Sequence, residues 1–143
     1  MVLFKEVLTL ALALGLCAGA AQAEGDLALK VTKLDELVLG TGDAGFGVSQ
    51  KSYDLVTGRG YSLMIKSTGA QECAWEAPEF ANTIWLRKIE AGDVEIKAAV
   101  LTEIEFEREG EAEIFFVPIR PGKFTWRCRG LEGKGMTGAF VVK

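Results

Sequence analysis

With no histidine among its 143 residues, this chain has to build any metal chemistry from sulfur and carboxylate. Its sulfurs are Cys17, Cys73 and Cys128 with Met1, Met64 and Met136. Thiolate and thioether are soft donors that suit Cu(I), whereas carboxylates suit harder ions. The same thiols in an oxidising compartment pair as a disulfide by default. Other chemistries lack their parts, since there is no His- or Ser-centred nucleophile arrangement, no phosphate-cradling glycine loop and no CxxC pair. Hydrolase, kinase and thioredoxin mechanisms therefore have no support, and a non-enzymatic role is expected.

The compartment decides how the cysteines are read. Residues 1–23 carry Lys5, an apolar run over 7–16 and the small-residue ending Ala21-Gln22-Ala23. The run is too short for a bilayer span and the ending fits a signal-peptidase site, so a signal peptide cleaved before Glu24 is expected. Leu16, where a lipobox needs a small residue, argues against lipidation of Cys17. Cys17 leaves with the leader, and Cys73 and Cys128 remain in a periplasmic or secreted domain over 24–143. About 120 residues suffice for one core and not for two. The net charge of −4 comes from acidic residues interspersed with lysines and arginines, which gives no footprint for nucleic acid.

The elements that must position these residues read as strands. Short β-branched and aromatic segments alternate with glycine-rich turns, with almost no helical periodicity. Strands are predicted over 27–33, 45–50, 53–56, 61–67, 83–89, 95–99, 103–107, 112–117, 123–128 and 137–142. Alternation is clearest around Leu63, Met64 and Ile65, while the run Ile114-Phe115-Phe116-Val117 suits a central strand. Their spacing implies an all-β Greek-key sandwich. The region 35–52 lacks clean alternation. Trp75, Trp85 and Trp126 read as core or rim aromatics, and Glu103, Glu105, Glu107 and Glu109 as a solvated sheet face.

The C-terminal third carries a more specific signal. Arg120-Pro121-Gly122-Lys123-Phe124-Thr125-Trp126-Arg127-Cys128, then Met136 and the apolar strand to Val142, resembles the end of a cupredoxin. In that family a Pro-Gly turn leads into a strand ending in the copper-ligating Cys, a loop supplies His and Met, and a last strand closes the sandwich. Met136 keeps the expected distance from Cys128, but Leu131 stands where the loop His belongs. The stretch from Lys66 to Cys73 resembles the segment bearing the family's other His, with Ser67 in place of Asn and Cys73 in place of His.

This resemblance implies that Cys73 and Cys128 meet at one end of the sandwich, within about 7 Å between Cα atoms. A His-Cys-His-Met quartet becomes Cys-Cys-Leu-Met, open to two outcomes: a disulfide, or a Cu(I) site of two thiolates and the Met136 thioether. The segment after Cys73, with Trp75, Glu76, Glu79 and Phe80, is also similar to the cupredoxin-like domains of EfeO-type periplasmic iron-uptake proteins. That likeness implies Glu76, with Glu79, beside Cys128 in copper or iron binding. The leading expectation is an accessory of copper or iron handling or electron transfer, working with a periplasmic or membrane protein of a metal-uptake or redox system. The alternative is a metal-free, disulfide-stapled binding or structural module.

Overall fold

The computed structural model describes residues 30–143. The expected leader over 1–23 and the start of the predicted strand 27–33 lie outside the described residues. In order, the chain forms β1 (Val31–Lys33), β2 (Leu37–Thr41), β3 (Gly47–Val48), β4 (Ser52–Leu55), β5 (Gly60–Ser67), β6 (Cys73–Glu76), a short helix α1 (Pro78–Ala81), β7 (Ile84–Ala91), β8 (Val94–Ile96), β9 (Ile104–Phe106), β10 (Gly110–Pro118), β11 (Gly122–Cys128) and β12 (Thr137–Val142). A single 3₁₀ turn, Glu132–Lys134, precedes β12. No helix among the described residues is long and apolar enough to cross a membrane.

Two sheets face each other. The first has the order β3-β2-β5-β10-β7-β8, with β1 also on β5, and the second has the order β4-β12-β11-β6-β9. The chain passes repeatedly from one sheet to the other, giving the Greek-key sandwich expected from the strand spacing. Three pairings among the described residues are parallel: β1 and β2 lie end to end along β5, and β4 lies beside β12. Asp35 and Glu36 interrupt what would otherwise be one edge strand, and both are exposed.

Alternation generates the core. Tyr61, Leu63 and Ile65 of β5 face inward beside Ala112, Ile114 and Phe116 of β10, opposite Phe124, Trp126 and Cys128 of β11 with Phe140 and Val142 of β12. The predicted central strand is β10, which pairs antiparallel with β5 on one side and β7 on the other. Helix α1 is a plug. Pro78 opens it, where a missing N–H costs nothing, and Phe80 stacks on Phe140 at 4.0 Å and meets Phe116 edge-on at 5.3 Å.

Two elements escape the predicted strand set. β2 lies in the region without clean alternation, where Leu37 and Leu39 are fully buried and the turn glycines begin at Gly40. β6 is only four residues long and begins at Cys73 itself, so this cysteine sits in a ladder rather than in a loop. Conversely, the predicted strand over 45–50 shrinks to two residues and that over 95–99 to Val94–Ile96.

Gly138 has no room for a side chain. It lies across the ladder from Trp126, and a Cβ there would stand 2.4 Å from the Lys51 carbonyl oxygen and 2.5 Å from the indole. Glycine is what allows Trp126 to be fully buried. Gly138→Ala is therefore expected to destabilise the fold by about 1–3 kcal/mol or more, the usual scale of overpacking, as read from denaturant melts; an unchanged midpoint would mean that the indole repacks freely.

Candidate functional site

Three segments converge at one end of the sandwich: the start of β6, the end of β11 and the loop before β12. Cys73 and Cys128 are joined there by a disulfide, with their Cα atoms 5.1 Å apart and side chains 1% and 0% exposed. This agrees with the separation that the cupredoxin resemblance implies. β6 and β11 run antiparallel, with Cys128 opposite Trp75 and Arg127 opposite Glu76, so the bridge crosses the strand pair diagonally on its inner face.

The loop after Cys128 closes on itself. The Cys128 carbonyl accepts from Leu131 N–H, the Leu131 carbonyl accepts from Lys134 and Met136 N–H groups, and Cys128 N–H donates to the Met136 carbonyl at 2.9 Å. Gly135 takes a left-handed φ of 98° to end the 3₁₀ turn, and Lys51 Nζ donates to its carbonyl. Met136 is fully buried in the core, and Leu131 packs against that core. The Ser67 hydroxyl, at the position resembling the family's Asn, accepts from Gly69 N–H at 3.1 Å. Gly69 needs to be glycine on two counts, a φ of 75° and the Glu109 backbone nitrogen only 2.6 Å from where a Cβ would lie.

Glu76 is beside the bridge but on the outer face of its sheet. Its Oε1 accepts from Arg127 Nε and Nη2, each at 2.7 Å, and Arg129 Nη1 lies 3.8 Å from Oε2. Arg127 also reaches Glu132 at 3.3 Å, and Arg129 reaches Glu103 at 2.5 Å. The result is a chain of alternating charges over the bridge end. Strong two-pronged arginine bonds of this type hold a carboxylate in place. Glu79 is elsewhere, exposed on α1 beyond the far end of β6 from Cys73.

Sequence reasoning missed Arg127 and Arg129 as the partners of Glu76. The signal was available: alternation along β11 puts Arg127 on the face opposite to Cys128. What it could not show is that Glu76 is the residue directly across. Glu103, expected on a solvated face, is tied to Arg129 instead. Trp75 and Trp126 are core residues with indole N–H groups that have no protein partner, and Trp85 is a rim residue.

The donors can now be weighed against a blue-copper centre, which needs a thiolate and two imidazoles with a weak axial thioether. Both thiols are consumed in the bridge, Leu131 stands where the resemblance would put the loop His, and the chain has no imidazole. The residues do not fit that centre. Among the described residues, no three His, Cys, Asp or Glu side chains are grouped to hold an ion.

Neither a protein-family model nor a curated protein matches the chain. Solved structures do. A variant of McoA multicopper oxidase from the hyperthermophile Aquifex aeolicus superposes with a TM-score of 0.60 at 12% identity, over 78% of this chain and 29% of its own. A multicopper oxidase from Campylobacter jejuni gives 0.56 at 15% identity, over 80% and 30%. Auracyanin B gives 0.50 at 14% identity, over 78% of this chain and 89% of its own. The chain thus spans less than a third of the oxidases' length. At these identities the likeness is one of fold, and the fold of this chain is that of a cupredoxin.

Proposed function

We propose that the chain is a metal-free binding module of an oxidising, extracytoplasmic compartment, in which a disulfide occupies the place of a cupredoxin's copper. The observation that carries this reading is the buried Cys73–Cys128 bridge, made from the residues that would otherwise supply the thiolate donors. A bridge enclosing a separation of 55 residues stabilises by roughly 4 kcal/mol in the chain-entropy model. Staple and closed loop together do what a copper ion and its ligands would otherwise do for this end: they fix β6, β11 and the segment before β12 relative to one another.

Copper or iron handling by Cys73, Cys128, Met136 and Glu76 makes heavier demands. It requires a reductant to open a bridge that solvent does not reach, and it requires Glu76 to leave Arg127. The loop from Cys128 to Met136 is already held by its own bonds, those of Leu131, Lys134, Gly135 and Met136 N–H to loop carbonyls and that of Cys128 N–H to Met136. A binding role, by contrast, uses the surface and leaves this end as it stands.

Three outcomes are expected. The chain from Glu24 onward has no titratable thiol before reductant and two after it, and the oxidised form leaves Cu(I) with a competing chelator; copper retained by the oxidised form overturns the metal-free reading. Cu(II) gives no intense blue band with the reduced protein, because the trigonal imidazole ligands are missing, and a strong visible band would show another ligand set at work. In denaturant melts Cys73→Ser loses roughly 2–5 kcal/mol while Met136→Leu loses under about 1.5 kcal/mol; equal losses would place the stabilisation in packing rather than in the bridge.

A further inference from the structure

The end of the sandwich opposite the bridge carries an apolar patch that the core does not use. The turn from Val56 to Arg59 touches the β10–β11 turn through Gly58 N–H, which donates to the Pro118 carbonyl, and Ile119 N–H donates to the Thr83 carbonyl ahead of β7. These bonds place Ile119, 64% exposed, Trp85, 47% exposed, and Val56, 42% exposed, at the same end of the sandwich. Val117 pairs with Trp85 on the outer face of the sheet and is buried, yet it lies outside the main core cluster. The patch therefore has a floor as well as tips.

Its rim is cationic. Arg59, Arg120 and Lys123 are exposed on the same turns, Arg120 lies 5.9 Å over the Phe124 ring, and Lys30 precedes β1. The carboxylates nearest in the chain are Asp54, ion-paired with Lys143, and Glu79 on α1. The bridge end has the opposite character: an open cavity of about 340 Å³ lies there, bordered by Glu105, Glu107, Glu109 and Glu111 with Arg108. The chain also enters the fold at the cationic end, since Val31 pairs with Gly60, the first residue of β5.

We propose that this end docks on an anionic phospholipid surface. Val56 and Ile119 lie on the turns that close this end and Trp85 is the second residue of β7, which suits insertion between headgroups rather than capture of a strand or helix. Apolar tips reach the acyl boundary while arginine and lysine remain with the headgroup phosphates. The proposal rests on the reading of the chain as a binding module, and it moves the working surface to the pole away from the bridge.

The test uses the chain from Glu24 onward, which retains every residue of the core cluster, with vesicles of phosphatidylglycerol and phosphatidylcholine against vesicles of phosphatidylcholine alone. Binding to the anionic vesicles, weakened by salt and accompanied by a blue shift of Trp85 emission, is the expected result; Trp75 and Trp126 are buried and stay silent. Ile119→Glu is expected to lower partitioning more than about tenfold, and Arg120→Glu more than about fivefold. Ile96→Glu, at an exposed apolar site on the β8 edge, should leave it unchanged. Failure of the wild type to bind anionic vesicles overturns the proposal, as does binding that neither Ile119→Glu nor Arg120→Glu weakens. Thiol titration of the same samples reports the bridge separately, so loss of lipid binding with the bridge intact removes the docking surface and spares the metal-free reading.

Discussion

Strand β6 meets β11 through only two register pairs, and β9 is attached to the sheet only through β6. Half of the second sheet's outer edge thus hangs from a very short ladder. The covalent bridge on the inner face and the Glu76–Arg127 pair on the outer face grip that ladder from both sides. Hydrogen bonds in so short a pairing contribute about 1 kcal/mol each, and the bridge adds a term several times larger. The plug residue Phe80 depends on it too, since α1 begins two residues after β6 ends.

The two ends of the molecule divide its work. At the bridge end the residues that a cupredoxin-like site would use are engaged within the chain: Cys73 with Cys128, Leu131 and Met136 backbone within the loop, and Glu76 with Arg127. At the opposite end three large apolar side chains face solvent among cations. A folded chain ordinarily covers such neighbours or gives them a partner. The cupredoxin scaffold tolerates this exchange because its strands fix both ends equally well, and function is carried by the residues placed there rather than by the fold.

Much of the architecture was legible in the residues, for identifiable reasons. β10, β11 and β12 announce themselves through sustained alternation and the Pro121-Gly122 turn. β2 did not, because its two buried leucines are followed at once by glycines that read as a turn. The meeting of Cys73 and Cys128 was legible by analogy with the ligand spacing of cupredoxins, although the choice between bridge and metal was not. Glu76 was named as a donor through the likeness to EfeO-type domains, and a linear sequence does not name what lies across the ladder. Arg127 lies across it and holds the Glu76 carboxylate through two hydrogen bonds.

The disulfide also changes how the chain would bear a load. Residues from Cys73 to Cys128, which include the whole of β7, β8, β9 and β10, form a closed covalent ring. A force applied at the termini of the oxidised chain could never draw out that ring, so about 190 Å of contour length stays hidden. Outside the ring, β4 lies parallel to β12, so opposite pulls on the two would act along the ladder and load its hydrogen bonds in shear rather than one by one. Oxidation therefore makes the domain a short, stiff spacer, and reduction would roughly double the distance over which it could yield.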